Sequence, residues 1–157
     1  MNGKMIFAAI LASVLALIPG GARAAGPTPI SGGQSGTLSL ANSPYLATAD
    51  IFVSGGQTLT IEAGVVLQFQ DPGTAFFVDG TLTARGTSGS PILFTSDETS
   101  KQPGQWRGMY CRGAGATNTV LENCIVECAA STAGGSGANI RLESVPSILI
   151  TNCTIRT

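Results

Sequence analysis

The sequence predicts an all-β solenoid, a coil of about four stacked rungs built from short parallel strands. Three observations carry this. Val53, Leu67 and Phe69 return as Val78, Ile92 and Phe94, each 25 residues later, and Phe76, Val78 and Ile92 return as Met109, Cys111 and Ile125, each 33 later. Val120-Leu121-Glu122-Asn123-Cys124 then returns 29 residues later as Leu149-Ile150-Thr151-Asn152-Cys153. Between these positions, runs of three to five β-forming residues alternate with tight Gly-, Pro- and Asp-rich turns, and no helical period is present after residue 24. A unit this short cannot bury its apolar face alone, so its neighbours must supply the core.

Residues 1–24 read as a helical secretory signal peptide. Lys4 supplies a positive start, Met5 to Ile18 is an unbroken apolar run of 14 residues, Pro19-Gly20-Gly21 breaks it, and Ala22-Arg23-Ala24 has the small-x-small form of a cleavage site. The run is shorter than the ~20 residues a membrane-spanning helix needs. Residues 25–36, with Pro27, Pro29 and four glycines, read as a flexible leader. The coil then occupies 37–157. Strands are expected near Thr37–Leu40, Tyr45–Val53, Leu59–Ile61 and Val65–Gln70, with turns at Ser54-Gly55-Gly56, Glu62-Ala63-Gly64 and Asp71-Pro72-Gly73. The order repeats with Phe76–Val78, Leu82–Ala84 and Ile92–Phe94. A long loop, Ser96–Gly108, precedes Met109–Cys111 and Val120–Cys128. A Gly-rich loop, Ala129–Gly137, precedes Asn139–Leu142, Ile148–Ile150 and Cys153–Ile155.

Strand alternation places Leu121, Cys124, Val126 and Cys128 inward, matched one rung on by Ile150, Cys153 and Ile155. Asn123 and Asn152 fall where the chain must bend between faces. Asn tolerates the left-handed conformation, and stacked amides can hydrogen-bond from rung to rung.

Net charge is −1 over 157 residues, and loss of Lys4 and Arg23 with the signal peptide makes it more negative. No Lys/Arg run is present, which argues against a nucleic-acid partner. There is no His, so the commonest general base and metal ligand is missing, together with every Ser-His-Asp or Cys-His set. No phosphate-binding Gly-rich loop occurs.

Four cysteines, Cys111, Cys124, Cys128 and Cys153, raise a metal site. On a strand, inward positions four apart lie about 13 Å from each other, too far for one ion. Cys124 and Cys153 occupy equivalent positions on adjacent rungs, which leaves stacked core thiols or one disulfide. Asp97-Glu98 is the one adjacent acidic pair and reads as solvated loop carboxylates. Neither a metal nor a cofactor is expected. Trp106 and Tyr110 are candidates for stacking on a sugar ring; the alternative for Trp106 is that it folds back over the coil. Arg112 and Arg141, 29 apart, are expected to be equivalent and to share an outer face beside them. Asn152-Cys153-Thr154 fits the glycosylation sequon but is expected inside a core strand.

Ser43 to Val53, Leu59-Thr60-Ile61-Glu62-Ala63-Gly64-Val65-Val66-Leu67-Gln68-Phe69, Val78-Asp79-Gly80-Thr81-Leu82, Pro91 to Ser96 and Trp106-Arg107-Gly108-Met109-Tyr110 together resemble the opening rungs of secreted bacterial right-handed parallel β-helix proteins of the pectate-lyase-like superfamily. The resemblance implies a right-handed, single-stranded parallel β-helix, with more rungs beyond Thr157 and a cap at each end. Lyases of this fold pair an acidic, calcium-binding cluster with a basic residue that abstracts a proton. Arg107, Arg112 and Arg141 are the basic candidates, with no acidic cluster beside them. The functional expectation is an exported, non-catalytic scaffold that contacts polysaccharide or other cell-surface components, with no catalytic residue in this chain. The alternative is the N-terminal piece of a polysaccharide lyase or hydrolase whose catalytic rungs lie further on. A non-functional truncated product is the blandest reading. The location follows from export: secreted, periplasmic or outer-membrane-associated.

Overall fold

The computed structural model describes residues 26–130 and 137–156, so the signal-peptide reading of residues 1–24 lies outside the described residues. Among the described residues fourteen strands run in chain order: β1 (Thr28–Gly33), β2 (Gly36–Leu38), β3 (Tyr45–Val53), β4 (Thr58–Ile61), β5 (Val66–Phe69), β6 (Ala75–Val78), β7 (Thr81–Arg85), β8 (Ile92–Ser96), β9 (Gly108–Arg112), β10 (Thr119–Glu122), β11 (Cys124–Val126), β12 (Ile140–Glu143), β13 (Ile148–Thr151) and β14 (Thr154–Ile155). Two short 3-10 turns, Leu40–Asn42 and Ala114–Ala116, interrupt them. No helix among the described residues is long and apolar enough to cross a membrane.

Every named strand pairing is parallel. The strands form three faces of one coil. The first face is β2-β4-β7-β10-β13. The second contains β5-β8-β11-β14 and the first half of β3, through Tyr45↔Leu67 and Ala47↔Phe69. The third contains β6-β9-β12 and the second half of β3, through Ile51↔Phe76 and Val53↔Val78. Each turn of the chain visits the three faces in that order and rises about 4.8 Å. Four turns are complete, and β13 and β14 begin a fifth.

The core is the interior of the coil. Leu59, Leu67 and Phe76, then Leu82, Phe94 and Met109, then Leu121, Cys124 and Val126 are fully buried. The period of two explains this. In β4, β5 and β7 buried and more exposed residues alternate, so one edge of each strand supplies the core and the other the surface. Turns between the third and first faces require close backbone approach: a Cβ on Gly80 would collide with the carbonyl oxygens of Ser54 and Gln57 on the rung before.

The structure changes three expectations. Residues 25–36 are not a flexible leader throughout: from Thr28 they form β1, which lies along both halves of β3, with Ile30 packed on the core. Pro29 is admissible because β1 is an edge strand and the missing N–H faces no partner. The repeat register also shifts. Val53↔Val78, Phe76↔Met109 and Val78↔Cys111 pair as the spacing predicts. Leu67, however, pairs with Phe94 instead of Ile92, and Ile92 pairs with Cys124 instead of Ile125. The bends between the first and second faces differ in length, from the Gly86–Pro91 loop to the single residue Asn123, so a constant spacing does not track the coil. Finally, Asn152 lies at a bend outside any strand and is exposed, so the sequon is not in a core strand.

Candidate carbohydrate-contact face

The outer surface of the third face gathers most of the aromatic and cationic side chains that the sequence singles out. Along β3, β6, β9 and β12 the inward residues Ile51, Phe76, Met109 and Ile140 alternate with outward ones. Register then stacks Gly33, Phe52, Phe77, Tyr110 and Arg141 in one ladder down the coil. Phe52 is 39% exposed, and its ring lies over Gly33, where a Cβ would sit 3.3 Å from the ring edge. Phe77 and Tyr110 meet with centroids 5.4 Å apart and planes tilted by 43°. Such tilted pairs are the arrangement that the ring quadrupoles favour.

Two guanidinium groups flank the ladder. Arg112 stands 4.1 Å from the Phe77 centroid, and Arg107 stands 5.8 Å from Phe77 and 5.6 Å from Tyr110. Arg112 donates from Nε and Nη2 to both oxygens of Asp79 at 2.8 and 2.7 Å. These bonds raise the Arg112 pKa against an opposing effect of burial, with the charges of Asp79 and Glu143 adding to the rise. Arg141 pairs with Glu143. Beneath the face, burial first, and then the charge of Asp79, push the Cys111 thiol up to about 12.

The site residues expected from the sequence divide as follows. Tyr110 is on the face but only 6% exposed, covered by Arg107 and Phe77. Arg112 and Arg141 share this face, yet they are not equivalent: Arg141 pairs with Tyr110, and Arg112 with Glu143. Trp106 is a correction. It is fully buried, its ring stacks on Phe69 at 3.9 Å with planes 2° apart, and Nε1 donates to Glu127 O at 2.8 Å. A sugar cannot reach it; it folds back over the coil. Phe52 and Phe77 were not singled out by the sequence reading. The signal was present in strand parity, since both are outward residues of aromatic-rich strands whose inward residues are already apolar.

Cys124 and Cys153 are free thiols in the structure, as are Cys111 and Cys128. They lie one rung apart next to the Ile125↔Thr154 pair, the stacked-thiol arrangement. Burial and the neighbouring Cys153 push Cys124 up to about 12. Asn123 and Asn152 adopt left-handed φ values of 48° and 53° at the bend. The Asn123 amide donates to Gly86 O at 3.2 Å, so this rung-to-rung bond goes to backbone. Both asparagines line an open groove of about 300 Å³ with Thr87, Ser88 and Thr154.

Chemically, the third face offers stacking surfaces and held cations. Asp79 and Glu143 are both engaged by arginines, and Asp50 Oδ1 accepts from Ala75 N at 2.8 Å. Among the described residues, no three of His, Cys, Asp and Glu are grouped to hold a metal ion.

Residues 32–141 match the family described as pectate-lyase like beta helix domain. Over 56 residues the chain is 43% identical to the protein bark beetle of Drosophila melanogaster, a stretch that is 36% of this chain and 2% of that protein. No solved structure matches the chain.

Proposed function

Because this chain belongs to the pectate-lyase-like β-helix domain family, we propose that it is an exported, non-catalytic β-helix module that contacts polysaccharide through the outer surface of its third face. The observation that carries this reading is the Phe52–Phe77–Tyr110 ladder. An outward column of aromatic rings on three successive rungs, with Phe52 the most open and Tyr110 nearly covered, flanked by Arg107 and Arg112, is the kind of surface on which the apolar face of a sugar ring stacks while hydroxyls meet fixed cations.

Retardation of the native protein in gels containing soluble polysaccharides tests it. The expected result is retardation by at least one polysaccharide, reduced severalfold in Phe52→Ala, with a far-ultraviolet spectrum like that of the parent. No retardation by any polysaccharide would overturn the contact reading. Release of new reducing or unsaturated ends would replace it with the enzymatic alternative.

A further inference from the structure

The bend between the first and second faces brings two thiols together on neighbouring rungs. The 29-residue offset from one rung to the next holds on both sides of them. Leu121 pairs with Ile150 and Glu122 with Thr151 before the bend, and Ile125 pairs with Thr154 after it. Cys124 and Cys153 therefore stand one above the other. Their surroundings repeat with them. Cys124 Sγ donates toward Glu122 O at 3.4 Å and toward Ala84 O, one rung back, at 3.5 Å. Cys153 Sγ donates toward Thr151 O at 3.2 Å and toward Leu121 O, one rung back, at 3.4 Å. Cys153 Sγ thus leans toward the rung that carries Cys124, and the two thiols are within hydrogen-bonding reach of each other. Among the described residues the other two cysteines have no such neighbour. Cys111 stacks between Val78 and Leu142, and Cys128 meets Thr95 Oγ1 at 3.9 Å.

We propose that Cys124 and Cys153 are a disulfide-forming pair: oxidation by a small-molecule disulfide joins them and ties two neighbouring rungs together. Neighbouring rungs lie about 4.8 Å apart, inside the roughly 4.4–6.8 Å range of Cα separations that a disulfide spans. The Cβ atoms must close slightly, to about 4.5 Å or less. Cys153 lies outside any strand, between the left-handed Asn152 and β14, so no strand ladder holds it against that adjustment. Turning the side chains gives up only the weak bonds from sulfur to the carbonyls. In the exchange, one thiolate attacks a sulfur of the small disulfide and releases a thiol. The second thiolate attacks the protein sulfur of the mixed disulfide and releases the other thiol. Two electrons pass from the cysteines to the oxidant, their two protons end on the released thiols, and one protein S–S bond replaces that of the reagent. The approach is from the flank of the coil, where Cys124 lines the open groove with Thr87, Ser88, Asn123, Asn152 and Thr154. The pairing needs only two adjacent rungs of the described residues and is independent of any polysaccharide contact. An oxidising compartment favours the joined form.

Incubation of the folded chain with oxidised glutathione, then alkylation without reduction, digestion and mass spectrometry, tests this. Cleavage after Glu127 separates Cys124 from Cys128, so the partners can be told apart. The expected result is a peptide pair joining Cys124 to Cys153, with Cys111 and Cys128 alkylated. The joined protein is expected to melt several degrees above the reduced one, because the bond closes a loop in the unfolded chain. Cys153→Ser is expected to keep the far-ultraviolet spectrum of the parent and to show neither the cross-link nor the rise. Mapping on the unaltered chain needs no variant to fold. Four free thiols after oxidation, a mixed disulfide with glutathione that persists, a bond to Cys111 or Cys128, a bond between two chains, a cross-link that forms only in denaturant, or one that leaves melting unchanged would each overturn the inference.

Discussion

At the residue scale, the coil depends on a few positions where the backbone leaves the β region. Asn123 turns the chain from the first face to the second in a single residue, at φ 48°. Three things meet there: a left-handed backbone, an amide bonded to Gly86 O, and a backbone bond from Asn123 N to Thr151 O of the next rung. A residue with a Cβ and no local polar group is disfavoured by roughly 1–2 kcal/mol in this conformation, and the lost amide bond adds about 1 kcal/mol. Asn123→Ala is therefore expected to destabilise by about 2–3 kcal/mol in denaturant titration. Asn123→Gly, which recovers the backbone freedom but not the bond, is expected to cost about half as much; equal costs would mean that the conformation is not the issue. These bends were legible in the sequence because Asn123 and Asn152 stand at the same place in a repeated pentapeptide. Trp106 was not legible in the same way. A loop tryptophan followed by Arg reads equally well as a binding residue or as a lid on the core, and only the approach of Phe69 and Glu127 decides between them.

At the element scale, Glu127, just past β11, joins three elements: its carbonyl accepts from Trp106 Nε1 in the long loop between β8 and β9, and its side chain links β8 to the segment after β14. Its carboxylate accepts from Thr95 Oγ1 at 2.9 Å and from Arg156 Nε and Nη2 at 2.9 and 2.6 Å. Burial alone would raise its pKa, but the bonds from Arg156 and Thr95 and the charges of Arg156 and Lys101 outweigh it and hold the group below its ordinary 4.5. A carboxylate depressed in the folded state stabilises the fold above the unfolded pKa, and that contribution is lost as pH falls through the folded value. The melting temperature is thus expected to fall as pH drops below about 4.5. In Glu127→Gln the protein is expected to be less stable at pH 7 and to show a shallower acid limb; parallel pH profiles for the two proteins would remove Glu127 from the account. The elements themselves were largely legible, because apolar alternation over three to five residues and Gly- or Pro-bearing turns are local signals. Register was less so. Ile92 and Phe94 look like the repeats of Leu67 and Phe69, but the Gly86–Pro91 loop inserts residues ahead of β8 and moves each partner by two. A shift of two preserves the inward face, so Leu67 and Phe94 both read as core, whereas the shift of one at β11 puts Cys124, not Ile125, inward beside Ile92. The aromatic ladder on the third face does not depend on that pairing: Phe52, Phe77 and Tyr110 follow the spacings of 25 and 33 that the repeat already shows.

At the scale of the whole molecule, a solenoid distributes stability by rung, since each rung touches only its neighbours. The middle rungs have a neighbour on both sides, and Leu67, Phe94 and Met109 are fully enclosed there; among the described residues β13 and β14, which carry Ile150 and Ile155, pair on one side only. Removing a buried aromatic side chain forfeits its transfer free energy and leaves a cavity that surrounding strands, held on both edges, cannot collapse to fill. Phe94→Ala is therefore expected to cost about 3–5 kcal/mol, and Ile150→Ala less than about 1.5 kcal/mol, since that side chain is already partly hydrated. The same asymmetry orders local opening. For this chain, native-state amide exchange is expected to be slowest in β5 and β8, and to quicken through β11 to β14, toward strands that pair on one side only among the described residues. Protection that is uniform from β5 to β14 would mean that the coil opens as a single cooperative unit, with coupling between rungs stronger than the stability of any one of them. The gradient would then be absent even though burial is graded, because the free energy of opening is set by the smallest set of rungs that can open without exposing a neighbour's core.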